Sequence, residues 1–357
     1  MGVLQRLTIA FCASVISAGV ASAQIPTSSP SARFAFELPS DVSNTAEVKR
    51  SLDELSREPC DKVAIEKLAK ALERAGYRRE AAKAYVGFSD SCGGHPNSLR
   101  TAVNLLLKLS DYAAATEVAT QLIALEPFND NGFFLRGVAR LDGNQPRAAV
   151  DDFVTALELF GDKDKISSVG YQRLSRSYEQ LGRYCDAMLP IEAWVALNPA
   201  RNANSQSRAI LASLTARGNC PEPIGDEDVF PLSRKNEALT LMGTINGVTG
   251  KFIFDTGATF VSLKKSFAER AQVEVDPDST IQLNTANGIG AGRMGRAKLI
   301  QLRSLSAADV LVVVQADGKG VYGDDVDGLL GMSFLSQFNI AMDGTTLRLK
   351  RRSSKTN

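Results

Sequence analysis

Asp255 closes an apolar run, Phe252-Ile253-Phe254, and is followed by Thr256-Gly257-Ala258-Thr259. A carboxylate at a strand end, beside a glycine that lets the chain turn tightly and keeps an N–H free to donate, is placed for general acid–base work. Further along comes Val326-Asp327-Gly328-Leu329-Leu330-Gly331, an apolar element ending in glycine. Between the two, Ile281 to Ile300 alternates in polarity and carries Gly288, Gly290, Gly292 and Gly295, which predicts a glycine-rich hairpin. The rest of the chemistry is narrow. His95 is the only histidine, which excludes His-based triads and multi-His metal sites. It stands beside Pro96 and is expected to be a solvated turn residue. No pattern calls for a metal or a cofactor.

These two signatures together resemble an aspartic protease of the retropepsin type, over roughly Lys235 to Lys350. The resemblance implies an all-β acid-protease domain with Asp255 as the catalytic residue and Thr256, Gly257 and Ala258 as its loop. Leu329, Leu330 and Gly331 match the family's hydrophobic-hydrophobic-Gly element, which threads the aspartate loop as a structural strand. The Gly-rich hairpin would be a flap that closes over a peptide. Met332 to Phe338 reads as a short helix, and Asn339 to Leu349 as a strand pair turning at Asp343-Gly344. Aspartic proteolysis needs two carboxylates about 3 Å apart sharing one proton. The sequence holds one Asp-Thr-Gly and no second copy. The resemblance therefore implies a homodimer in which each chain contributes Asp255 across a two-fold axis. Thr256 would bond across that axis, and the terminal strands near Thr346 to Leu349 would complete the interface. Asp327 is the first alternative source of a second carboxylate within one chain. Where pepsin-like enzymes place Ser or Thr, this chain has Ala258. One hydroxyl donor to the charged form is lost, so mildly acid to near-neutral working pH is expected.

A helical region must carry this domain. Ala81, Ala115, Ala149 and Ala187 recur at spacings of 34, 34 and 38 residues, and a 34-residue period is that of tetratricopeptide repeats. The fullest unit runs Leu174, Tyr178, Gly182, Tyr184, Ala187, Ile191, Trp194, Pro199. The third unit, with Gly137, Ala149, Phe153 and Ala156, is expected to hold one extra residue near Asn144. A helix at about Ala203 to Arg217 would cap the array. Stacked helix pairs cannot bury their faces alone, and such arrays present a surface to a protein partner.

The N-terminus reads as an export signal: Arg6, an apolar stretch from Leu7 to Val20, and Ala21-Ser22-Ala23 before Gln24. The expected location is exported, with the periplasm favoured, and no membrane attachment after cleavage. Four cysteines then remain, Cys60, Cys92, Cys185 and Cys220. None has CxxC spacing, and three pairings are possible. In an antiparallel helix pair the start of the first helix lies beside the end of the second. That geometry selects Cys60–Cys92 and Cys185–Cys220, each contributing about 2–4 kcal/mol. With 41 basic and 40 acidic residues the net charge is +1, and no basic face argues for nucleic acid.

The expected plan is multidomain α + β: signal peptide 1–23, disordered linker 24–46, helical repeats 47–220, linker 221–235, retropepsin-like domain 236–352 and tail 353–357. The functional reading is an exported aspartic endopeptidase acting on a protein or peptide. The competing reading is a non-enzymatic adaptor whose β domain dimerises or binds peptides.

Overall fold

A computed structural model describes residues 37–162, 165–232, 238–285, 288–315, 322 and 325–352. The signal peptide, most of the first linker and the tail lie outside these residues. Within the expected linker, Ser40–Ser43 already forms a helical turn, α1, and α2 starts at Ala46 and runs to Arg57.

Four antiparallel helix pairs follow among the described residues: α3 (Lys62–Arg74) with α4 (Arg78–Ser91), α5 (Pro96–Lys108) with α6 (Tyr112–Leu125), α7 (Asp130–Asp142) with α8 (Pro146–Leu159), and α9 (Ser168–Gln180) with α10 (Tyr184–Leu197). A turn, α11 (Pro199–Asn202), leads to the end helix α12 (Ser205–Arg217). The recurring alanines 81, 115, 149 and 187 are all fully buried, because a small side chain is needed where helices of a pair approach most closely. Gly137 does the same on α7: a Cβ there would stand 2.9 Å from the Phe153 ring. The turns inside the pairs use Gly76, Ser110, Asn144 and Gly182, all with left-handed backbone (φ 90°, 56°, 59° and 72°). Asn144 keeps the 34-residue register from Ser110. The additional residues of the third unit therefore lie between α8 and α9, after Leu159, and not near Asn144 as expected. His95 also differs from expectation. It is the N-cap of α5: its Nδ1 accepts from the Ser98 N–H, and its ring meets Phe88 edge-on at 5.4 Å. Cys60 is bonded to Cys92 and Cys185 to Cys220, with Cα atoms 5.6 and 5.4 Å apart.

The β region begins earlier than its expected boundary. β1 (Glu227–Pro231) falls inside the stretch expected as linker and pairs along its whole length with the last strand, β11 (Thr346–Arg351). β11 also pairs with β10 (Phe338–Met342), across a turn where Asp343 caps Thr345 and Thr346. β11 is therefore the middle strand of this sheet. The outer strands are β1 and β10, so 346–349 is interior to the sheet, and the Val229 carbonyl of β1 also accepts from Arg303 Nη1 at 2.6 Å.

The second sheet contains β2 (Thr240–Ile245), β3 (Val248–Phe254), β4 (Val261–Lys264), β5 (Glu274–Val275), β6 (Ile281–Thr285), β7 (Gly288–Leu302), β8 (Leu305–Gln315) and β9 (Gly328–Leu330). Its order is β2-β3-β9-β4-β8-β7-β5, with β6 paired to β7. Ile245 opposite Ile300 joins β2 back to β7, so six strands close on themselves. Short helices α13 (Lys265–Arg270) and α14 (Met332–Leu335) follow β4 and β9. Buried residues of β7 and β8, among them Met294, Ala297, Ile300, Val310 and Val312, join Phe252 of β3 in one apolar cluster. The same cluster runs into α7–α10, so the two domains share a core.

Candidate active site

The carboxylate loop is fixed from below. Phe252 is fully buried and anchors β3, while Ile253 and Phe254 sit opposite Leu329 and Leu330 of β9 in parallel register. β9 is thus inserted between β3 and β4, pairing Leu329 with Ser262 on its other side. The Asp255 N–H donates to the Leu330 carbonyl at 3.1 Å. Past β9 the chain goes on tying down the loop: Met332 N–H donates to Ala258 O at 2.8 Å and Ser333 N–H to Thr259 O at 2.9 Å. The Ser333 hydroxyl accepts from the Val261 N–H at 2.8 Å. Gly331 has to be glycine because a Cβ would lie 2.2 Å from the Phe260 carbonyl oxygen.

At the tip, the Gly257 N–H donates to Asp255 Oδ1 at 2.8 Å. A Cβ at Gly257 would crowd that oxygen at 3.1 Å, so its value is close approach. Asp255 and Ala258 are half-buried; Thr256 and Gly257 are exposed. The loop therefore offers a polar tip on a rigid base. The glycine-rich hairpin is present as β6 and β7, with Thr285 opposite Gly288; residues 286 and 287 lie outside the described residues.

Asp327 has a different job. Its Oδ2 accepts from the Lys251 N–H at 3.0 Å, its Oδ1 from Arg270 Nη2 at 3.2 Å, and its own N–H donates to the Lys251 carbonyl. It bolts the entry to β9 onto β3, which leaves Asp255 as the carboxylate of the loop. Among the described residues no cluster of three or more His, Cys, Asp or Glu side chains could hold a metal.

Three arrangements near the site escape sequence reading. The Ser262 hydroxyl, buried on β4, accepts from Gln315 Nε2 at 2.7 Å and from the Tyr322 O–H at 2.5 Å. This ties the segment before β9 to the strand beside the loop, and burial pushes the Tyr322 phenol well above its ordinary range. Glu192 of α10 accepts from the Ser336 hydroxyl at 2.8 Å, and enclosure of its carboxylate at the domain junction raises its pKa, with Arg352 opposing. Asp151 and Thr155 of α8 bond to the root of the hairpin. The available signal was Asp151 and Thr155 four residues apart, polar residues sharing one helix face within a repeat whose neighbours are apolar.

Residues 241–337 match the model of the family described as gag-polyprotein putative aspartyl protease. Among solved structures, the chain is similar to a retropepsin-like aspartic protease from Rickettsia conorii, at 24% identity over 34% of this chain and 98% of that one, with a TM-score of 0.27. It is also similar to MamA from Desulfovibrio magneticus, at 16% identity over 43% of this chain and 84% of that one (TM-score 0.36). A thermophilic tetratricopeptide-repeat protein from Thermus thermophilus is similar at 15% identity over 47% of this chain and 88% of that one (TM-score 0.34). Among curated proteins nothing matches. The C-terminal part is a retropepsin-like aspartyl protease domain, and the helices before it form a tetratricopeptide-like stack.

Proposed function

We propose that this protein is an exported aspartic endopeptidase that hydrolyses peptide bonds as a homodimer. The observation that carries the reading is the single Asp255, whose backbone N–H donates to the Leu330 carbonyl and whose carboxylate accepts from the Gly257 N–H. Two such loops facing across a two-fold axis would give two carboxylates sharing one proton, with a water between them. The ionised carboxylate takes a proton as the water oxygen attacks the scissile carbonyl carbon. The protonated one donates to the carbonyl oxygen. Collapse of the tetrahedral intermediate then breaks the C–N bond as a proton passes to the leaving amine. Thr256, exposed at the loop tip, is suited to bond across the axis, and the outer strand β10 is suited to extend the contact.

The helical stack would recruit a protein partner or the substrate itself. Export, with the periplasm as destination, is supported by the signal-like N-terminus and by two disulfides, which persist in oxidising compartments. A second reading, a non-enzymatic module that dimerises or binds peptides, is favoured by one fact. A single chain brings only one carboxylate to the loop among the described residues. The test is incubation of the mature protein, wild type and Asp255→Asn, with a diverse peptide library from pH 4 to 8. Cleavage by wild type that Asp255→Asn abolishes supports the endopeptidase. Absence of cleavage by the dimeric wild type supports the adaptor.

A further inference from the structure

The hairpin β6–β7 would be the flap of the proposed peptidase, and its root is attached to the helical stack. Among the described residues β6 pairs on one side only, with β7. Its other side lies along α8. There the Thr280 N–H donates to Asp151 Oδ2 at 3.0 Å and the Gln282 N–H to Thr155 Oγ1 at 3.1 Å. The match is geometric. Residues four apart on a helix are separated by about 6 Å of rise, and residues two apart on a strand by roughly 6.6 Å. Asp151 and Thr155 thus present two acceptors in step with two outward N–H groups of the strand, as a neighbouring strand would.

The same corner is fastened further. The Ser279 hydroxyl donates to Asp151 Oδ1 at 3.0 Å and accepts from the Met294 N–H at 3.0 Å, so one side chain joins α8 to both arms of the hairpin. Arg147 bridges Asp151 and Asp276. α8 is itself locked to α7 where Arg136 and Arg140 each reach the buried Asp152 carboxylate at 2.7 Å. Past Leu283 the strand rises clear: Asn284, Gly288 and Ile289 are exposed, and Gly290 stands opposite Leu283.

We infer that α8 is the fixed wall of the hairpin's hinge, so that Asp151 and Thr155 are positioning residues through which the helical stack sets the flap. Flap closure then depends on the shape of the stack, which gives the fusion of these two domains a mechanical reason. The flap role rests on the endopeptidase reading; the clamp on the hairpin does not.

The experiment uses the full mature protein with Thr155→Val, which deletes the acceptor at nearly constant shape, and Thr155→Ser, which restores it. Arg147→Gln, at a half-exposed position, is a milder second variant that does not touch the packed face. Hydrogen exchange by mass spectrometry reads the hairpin without needing activity. One neutral hydrogen bond corresponds to roughly a two- to tenfold change in an opening equilibrium. Thr155→Val is expected to speed exchange by that factor across Leu283–Thr285 and Ile289–Gly292, beyond the Gln282 amide that loses its partner. α3–α6 should be unaffected, and Thr155→Ser should return wild-type rates. On a peptide substrate, KM should rise by about the same factor with kcat within roughly twofold. Arg147→Gln should move both readouts the same way by less. Unchanged exchange beyond Gln282 in both variants overturns the clamp, whatever the activity. Faster exchange with unchanged KM overturns the positioning role. Faster exchange in a protein whose wild type cleaves nothing removes the endopeptidase reading and leaves the clamp standing.

Discussion

Gly331→Ala isolates the feature that seats the catalytic loop. The added Cβ would stand 2.2 Å from the Phe260 carbonyl oxygen, 2.6 Å from its carbon and 2.8 Å from the Ala258 carbonyl oxygen. All three neighbours are backbone, and they belong to the loop that β9 threads, so no side-chain rotation relieves them. Something must shift by about 1 Å to reach ordinary contact, and overpacking of this kind costs roughly 1–3 kcal/mol or more. The shift would fall on the Asp255 N–H to Leu330 bond and on the Met332 and Ser333 bonds to the loop. Because the chain holds two domains, a single two-state melt would blur the effect, and hydrogen exchange read domain by domain is the suitable assay. Core amides of β3 and β8 should lose protection by about 5- to 150-fold, the equivalent of 1–3 kcal/mol. The helical amides of α3–α6 should be unchanged. The control is Gly161→Ala, where a Cβ meets nothing within 4 Å and which should be silent. If Gly331→Ala protects its strands as well as Gly161→Ala does, the threaded-loop argument is wrong.

Other consequences follow from single contacts. Non-reducing peptide mapping should recover Cys60 joined to Cys92 and Cys185 to Cys220, and replacing either pair with serine should cost about 2–4 kcal/mol, measured by urea unfolding of the helical transition. Tyr322→Phe deletes the hydroxyl that donates to Ser262 and should destabilise the β domain by roughly 1 kcal/mol, read by exchange in β4 and β9. Glu192 has a folded pKa raised above its ordinary 4.5, so the stability it contributes is full below 4.5 and is lost as pH climbs through the raised value. Glu192→Gln keeps the acceptor for Ser336 and should flatten this decline, so that the variant gains on wild type between about pH 4.5 and neutrality. A difference that shrinks with rising pH would refute the assignment.

The sequence made the local chemistry plain and left the long-range geometry hidden. Phe252 to Thr259 and Leu329 to Gly331 are contiguous strings whose strand-and-turn character follows from residue type, so the carboxylate loop and its threading strand could be read directly. The repeat register was visible because Ala81, Ala115, Ala149 and Ala187 must all be small for helices to touch. What escaped depends on partners far apart in the chain. β1 looks like a linker because Pro221, Pro223 and Pro231 and the acids 226 to 228 punctuate it, yet pairing with β11 overrides local composition. Asn144 reads as an inserted loop residue, whereas it occupies the same left-handed turn as Gly76 and Gly182, so the insertion falls elsewhere in the third unit. His95 looked solvated for want of any sequence sign that Ser98 and Phe88 would enclose it. Nothing near Asp327 in the sequence signals that the Lys251 N–H and the Arg270 guanidinium occupy its carboxylate.

The central claim is that two chains share one active site. Wild-type protein is mixed with increasing excess of Asp255→Asn, allowed to exchange subunits, and assayed on a peptide that wild type cleaves and Asp255→Asn does not. If catalysis needs an Asp255 from each chain, activity per wild-type chain falls with its chance of pairing with another wild-type chain, towards zero at large excess. Activity per wild-type chain that stays constant at every ratio, in a mixture shown by sedimentation to contain mixed dimers, would contradict the shared site.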